Sequence, residues 1–406
     1  MKIFKLMVVA LVAMCGFASC SEDCDHNFIE VDYSNDIVGT WTCQEANYAA
    51  AFVFKADGTA FTTGVENGEY WENVQVNWKV VNNKLTLNYG DNTSETLLEI
   101  ISGEYLSISD KNGDRRKTYK YCANDLADEV VGMWVCTQTN LPETNMTIQT
   151  YEEDGKSIFT GFSPNSDSFM TNMESTYNVV GDLMFQKTGD MYFVTRLTYI
   201  PNGTALGDIL STTATILVGD NYVTSTYSFL RIKESLDLAG QNYNYIKTYV
   251  SNVKGEDKDI PFLNTSFNFA KMDGSIIDKF LKSILFTVEF PDENTINYNF
   301  LLEGQNMPMS APIEVEGNKM TIKMSENDPV FHDVVVYTFQ DKDNSQMHMY
   351  MPTSSFEKFF ANTSVSVMLG YGQIDKNDAD AIAGVYQSVA DAVHSINLSL
   401  VMSKSK

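Results

Sequence analysis

The amino-acid sequence predicts a mainly β chain of three tandem antiparallel β-barrels, the third with added α-helices. Three observations carry the prediction: an opening motif that recurs, two hairpins that recur behind it, and period-two alternation inside the strands. The opening reads Ile37-Val38-Gly39-Thr40-Trp41-Thr42-Cys43 and returns as Val130-Val131-Gly132-Met133-Trp134-Val135-Cys136. A fainter copy is Leu238-Ala239-Gly240-Gln241-Asn242-Tyr243. The expected units are a signal peptide (1–19), an acidic tether (20–35), barrels over 36–123 and 128–235, and a third barrel with helical insertions over 237–403.

The first hairpin of each unit runs Phe52–Thr63 around Asp57-Gly58, Ile148–Thr160 around Asp154-Gly155, and Phe286–Phe300 around Asp292-Glu293-Asn294. Asp-Gly supplies the positive φ that a two-residue turn demands. The second runs Val76–Tyr89 across Asn82-Asn83, Ser175–Lys187 across Gly181-Asp182, and Ile313–Met324 across Gly317-Asn318. Alternation in Leu85-Thr86-Leu87-Asn88-Tyr89 and Met320-Thr321-Ile322-Lys323-Met324 turns one apolar face inward. Further strands are expected at Tyr105–Ser109, Lys117–Tyr121, Tyr222–Ile232, Val334–Phe339, Gln346–Met351 and Asn397–Ser403. Such meanders are better closed as barrels than left with exposed edges.

In the third unit, Ile276, Ile277, Phe280, Leu281 and Ile284 form an apolar stripe on a helix over Ser275–Ser283. Ile382, Tyr386, Val389 and Val393 form another over Asp378–Ser395, and a shorter helix is expected over Ser354–Ala361. These helices are expected to plug a barrel mouth or pack on its wall. The links Asn124–Glu129 and Glu234–Asp237 are too short for much independent motion.

Residues 1–20 read MKIFKLMVVALVAMCGFASC: two lysines, an apolar stretch Met7–Phe17, and Ala18-Ser19 before Cys20. The stretch falls short of the ~20 residues of a membrane-spanning helix. Its end resembles the bacterial lipoprotein lipobox, which implies cleavage before Cys20 and lipidation of that residue. Each buried methylene of an acyl chain adds ~0.8 kcal/mol, so several chains anchor stably. The acidic Ser21–Asp25 resembles the surface-export signal of Bacteroidetes lipoproteins, which implies an outer-membrane anchor displayed at the cell surface; a periplasm-facing anchor is the alternative.

Loss of Lys2 and Lys5 leaves 26 Lys+Arg (28 minus 2) against 53 Asp+Glu, a mature net charge of −27. A chain this acidic is repelled by phosphate backbones and anionic headgroups, which excludes nucleic acid as a partner. With 44% hydrophobic and 12% aromatic residues it can build real cores. Beyond the signal and Cys20, the cysteines are Cys24, Cys43, Cys122 and Cys136, and their pairing is open. Closure of the first barrel, first strand to last, would make Cys43 and Cys122 neighbours that could be bridged; reduced cysteines packed as small core residues are the alternative.

The Gly39-x-Trp41 and Gly132-x-Trp134 openings, each behind two apolar residues and ahead of strand meanders, resemble the lipocalin and calycin superfamily, in particular the lipocalin-like lipoproteins of Bacteroidetes. The resemblance covers nearly all of residues 36–402, by architecture more than identity. It implies that the tryptophan closes the barrel floor and that Arg231, from the last strand, lies across Trp134, adding ~0.5–2 kcal/mol. The first unit departs, with Ala123 where Arg231 falls, and the third has Tyr243 in place of the tryptophan.

Catalytic chemistry has no foothold in the pattern. The four histidines, His26, His332, His348 and His394, are isolated, and His348 sits among Met347, Met349 and Met351 as an ordinary strand-face residue. No Gly-x-Ser-x-Gly, zinc spacing or phosphate-cradling loop occurs. Asp110-Lys111-Asn112-Gly113-Asp114 reads as a hairpin turn rather than a calcium loop, which would need a later bidentate Glu. The expectation is a non-enzymatic binding lipoprotein without cofactor or metal, with Cys20 the one assigned site residue. The size of the third unit, its amphipathic helices and its methionines Met307, Met309, Met320, Met324, Met347, Met349 and Met351 together suggest a small apolar or amphipathic ligand in that barrel, although the methionines taken alone read first as gap-filling core. The alternative is an interaction lipoprotein with solid barrels that binds a protein or glycan by its outer face, marked by exposed aromatics such as Tyr70-Trp71 or Tyr243-Tyr245.

Overall fold

The computed structural model describes residues 31–405 apart from 111, 140–145, 164–167, 202–207, 219–220, 256, 260–265, 269–273, 284–285, 303–304 and 342. The expected signal peptide, Cys20, Cys24 and His26 lie outside the described residues.

Barrel 1 is a meander of β1 (Gly39–Gln44), β2 (Tyr48–Phe54), β3 (Thr59–Glu66), β4 (Glu69–Val81), β5 (Lys84–Tyr89), β6 (Asn92–Ile101), β7 (Tyr105–Ser109) and β8 (Lys117–Cys122), closed by pairing of β1 with β8. A four-residue helix, α1 (Ala127–Val130), leads into barrel 2. Barrel 2 comprises β9 (Gly132–Thr139), β10 (Thr147–Tyr151), β11 (Lys156–Ser163), β12 (Ser168–Val180), β13 (Leu183–Thr188), β14 (Met191–Ile200), β15 (Ile209–Val218) and β16 (Asn221–Ile232), closed by β9 with β16.

Barrel 3 opens with β17 (Gln241–Gly255). A separate two-stranded sheet, β18 (Asp257–Asp259) with β19 (Ser266–Asn268), and helix α2 (Gly274–Ser283) follow before the meander resumes. It continues through β20 (Thr287–Asp292), β21 (Thr295–Leu302), β22 (Gln305–Glu316), β23 (Lys319–Ile322), the short α3 (Met324–Asn327), β24 (Val334–Gln340) and β25 (Gln346–Met351). Helices α4 (Thr353–Gly370) and α5 (Ala379–Ala392) precede β26 (Val393–Lys404), which closes on β17. Closure pairs every barrel edge, as the sequence led us to expect.

The same turn chemistry recurs in the first hairpin of each barrel. The carboxylates of Asp57, Asp154 and Asp292 accept the backbone N–H two residues on, from Thr59 at 2.9 Å, Lys156 at 2.9 Å and Asn294 at 2.8 Å. Gly58 and Gly155 take φ of +81° and +83°, where a side chain would be strained.

Two helices differ from expectation. Ser354–Ala361 is the start of the 18-residue α4, because Thr363 and Ser364 turn their hydroxyls back onto the carbonyls of Phe359 and Phe360 instead of breaking the helix. The last helix ends at Ala392, and β-branched Val393 already belongs to β26. The bridge between Cys43 and Cys122 is absent, and both are free. The barrel does close first strand to last, but Cys122 pairs with Thr40, so Cys43 points into the core while Cys122 points out.

Each barrel joins the next through a dry contact. Between barrels 1 and 2, Ala49 and Ala51 pack against Leu183 and Phe185. Polar ties surround that contact: Thr42 Oγ1 donates to Asp182 Oδ1 at 2.6 Å, Arg196 pairs with Asp182, and Gln44 Nε2 donates to the Val194 carbonyl at 3.1 Å. Between barrels 2 and 3, Val135, Ile148, Leu230 and Ile232 pack against Tyr337, Phe339 and Tyr350.

Candidate functional site

The floors of barrels 1 and 2 are built alike. Trp41 Nε1 donates to the Ile37 carbonyl and Trp134 Nε1 to the Val130 carbonyl, both at 2.7 Å, and both rings are buried. Arg231 lies with its guanidinium carbon 4.6 Å from the Trp134 ring centroid and donates to the Glu129 carbonyl, the position the resemblance implied. Barrel 1, lacking that arginine, sets Tyr121 edge-on to Trp41 at 5.1 Å. In barrel 3, Tyr243 is wholly buried, and its hydroxyl accepts from Gln340 Nε2 at 2.8 Å while burial pushes its ionisation up to about 12.

The interior of the third barrel bears on the expected apolar ligand. Met320, Met347, Met349 and Met351 are buried in one cluster with Tyr243, Phe290 and Met402. Phe356 of α4 and Val389 of α5 belong to the same cluster, so these helices cap a filled end. The methionines therefore act as packing, while Met309 is exposed on the outer wall and the side chain of Met307 is not among those described. Barrel 1 is filled as well: the Trp71 ring lies so close over Gly64 that a Cβ there would stand 2.3 Å from it. Among the described residues no group of three or more His, Cys, Asp or Glu could hold a metal ion.

Among the described residues, the concavities of the outer surface include two of several hundred Å³. One, of about 580 Å³, lies beside α4 and α5, where His332 stacks on Tyr386 at 4.0 Å over Val330 and Ile382, with Glu357, Lys358 and Lys376 at its rim. Burial lowers the His332 imidazole, and Lys358 adds to the shift.

The other, of about 660 Å³, lies where barrel 1 meets barrel 2. Tyr70 of β4 stacks on Tyr192 of β14 with centroids 4.5 Å apart, and Phe185 of β13 stands 6.2 Å from Tyr70. Tyr177 forms part of the barrel 2 wall, its hydroxyl donating to the Glu152 carbonyl at 2.9 Å. Burial raises Tyr70 far above an ordinary phenol, helped by the nearby Glu72 carboxylate, while a hydrogen bond to Asn178 across the junction opposes the rise. Glu72, Asp154 and Lys187 line the cleft from exposed positions. The alternation that builds β4 and β14 places these groups: outward residues of two barrels, each unremarkable alone, converge because Leu183 and Phe185 lock the walls together.

Of the aromatics singled out in the sequence, Tyr70 is half-buried in this cleft and Trp71 lines it while 8% exposed. Tyr243 belongs to the core, and the partly buried Tyr245 packs against it with its hydroxyl bound to Asp278. Tyr192, Tyr177 and Phe185 carry no signal in the sequence beyond being strand residues, because the cleft exists only through the contact of two units.

Three closed barrels in one chain define a tandem-barrel protein. No family model and no curated protein matches the sequence. Solved structures to which it is similar include the transferrin-binding protein B double mutant of Haemophilus parasuis, at 10% identity and a TM-score of 0.24 over 88% of this chain and 65% of that one. The isotype 1 transferrin-binding protein B of Neisseria meningitidis matches at 8% identity and 0.20, over 89% and 66%. The H. pylori β clamp matches at 9% and 0.15, over 99% and 98%. The chain thus spans just under two thirds of both transferrin-binding structures. At these scores the likenesses fix neither function nor partner.

Proposed function

We propose that this chain is a non-catalytic, lipid-anchored binding protein of the outer membrane, displayed at the cell surface, whose cleft between barrels 1 and 2 engages a partner macromolecule. The observation that carries the reading is that cleft: about 660 Å³, walled by Tyr70, Tyr177, Phe185 and Tyr192 from two barrels in apolar contact. Aromatic side chains offer large contact area at low entropic cost, and a preformed concavity spares the partner's binding energy from ordering the site. The filled interior of barrel 3 weighs against a small apolar ligand there. The anchoring half of the reading rests on Ala18-Ser19-Cys20 and the acidic residues behind it.

A photo-crosslinking residue placed at Lys187, inside the cleft, and at the exposed Met309, on the far barrel, tests it in intact cells. The expected result is a discrete adduct from position 187 that disappears on Tyr192→Leu and has no counterpart from position 309. Equal labelling from both positions would sink the reading.

A further inference from the structure

We infer that the partner presents a basic side chain, an arginine or lysine on an extended protein segment, to the cleft between barrels 1 and 2; this rests on the cleft being the partner site. The charged groups lining the cleft are two carboxylates, Glu72 from barrel 1 and Asp154 from the β10–β11 turn of barrel 2, against the single ammonium of Lys187. They stand on a chain of formal net charge −25, whose field draws cations and repels phosphate or carboxylate ligands. The same cleft is lined by the stacked rings of Tyr70 and Tyr192, and an aromatic face attracts a cation within about 6 Å of its centroid.

One cation already stands at this surface, placed there by the β13–β14 register that sets Lys187 opposite Tyr192. Lys187 Nζ lies 5.5 Å from the Tyr192 centroid, so the chain's own ammonium occupies the position that a partner's guanidinium would contest. The Glu72 carboxylate stands near the Tyr70 hydroxyl and adds negative charge to the same wall of the cleft. A neutral sugar would use the rings but leave both carboxylates without a charge partner. The volume exceeds one side chain and suits a few residues of extended chain.

The test uses the full mature chain and three labelled probes of similar length: a blocked hexapeptide of alternating arginine and glycine, its glutamate counterpart, and maltohexaose. The arginine peptide is expected to bind best and to weaken with added salt. Glu72→Gln with Asp154→Asn should lower its affinity by about tenfold or more, as loss of charge-assisted contacts does. Lys187→Met should raise it several-fold by removing the resident competitor. Glu316→Gln with Glu326→Gln, exposed carboxylates on barrel 3, should change little and so measure the general field. All five positions are exposed, and near-ultraviolet circular dichroism checks that each variant stays folded. If maltohexaose binds best, is lost with Tyr192→Leu and ignores the carboxylate variants, the basic partner is overturned while the cleft stands as a glycan site. If no probe's binding depends on Tyr192, the cleft reading and this inference fall together.

Discussion

His348 is buried on the face of β25 opposite Met347 and Met349, and burial alone pushes its imidazole down to about 3, with no hydrogen-bond partner for Nδ1. The folded protein therefore keeps it neutral where an unfolded chain, titrating near the ordinary 6.5, takes up a proton. Stability should thus be fully present above pH 6.5 and fall as pH drops toward 3, by about 1.4 kcal/mol per pH unit from this residue alone. His348→Leu should flatten that part of the slope in urea titrations at pH 7.5 and pH 5; an unchanged slope would show that the ring is solvated. At this scale the sequence was partly legible. The tryptophan floors and Arg231 were readable because a motif fixes both partners within one barrel. The burial of His348 was not, because alternation reports which face a residue takes and not what a second barrel lays over that face.

The β12–β13 hairpin shows the same division at the level of an element. Gly181-Asp182 was readable as a turn, and Gly181 does take φ of +62°. What the turn touches was not readable: a Cβ on Gly181 would stand 3.0–3.2 Å from Thr40, Thr42 and Cys122 of barrel 1, and the backbone N–H of Leu126 donates to its carbonyl at 3.0 Å. The hairpin is a peg against the neighbouring barrel, held by the Asp182 carboxylate between Thr42 and Arg196. Asp182→Ala leaves that arginine and hydroxyl without their acceptor. Because both charged groups are only partly exposed, the expected cost is about 1–2 kcal/mol, at the lower end for charged hydrogen bonds. Small-angle scattering should show a broader distribution of intramolecular distances in this variant, with circular dichroism unchanged. Scattering identical to the parent would mean the Ala49–Leu183 contact alone fixes the angle.

Across the whole molecule, barrel 2 is the keystone, because its outer wall carries apolar patches on two sides, Leu183 and Phe185 toward barrel 1 and Val135, Ile148, Leu230 and Ile232 toward barrel 3. Such faces cannot be left in water without losing roughly 25 cal/mol for each Å² uncovered, so the barrels should unfold together rather than in turn. Calorimetry of the parent chain should accordingly show one transition whose van't Hoff and calorimetric enthalpies agree. Phe339, wholly buried and ringed by Phe169 and the barrel 2 face, is the place to break this coupling. Phe339→Asp would put an unpaired carboxylate into a dry contact, which the protein can relieve only by opening the interface. The transition should then split, with barrel 3 melting apart from a barrel 1–barrel 2 unit. The cleft belongs to that unit and not to barrel 3, so Phe339→Asp should leave binding of the arginine peptide unchanged below the first transition. Loss of both cooperativity and binding would instead place the third barrel within the partner site.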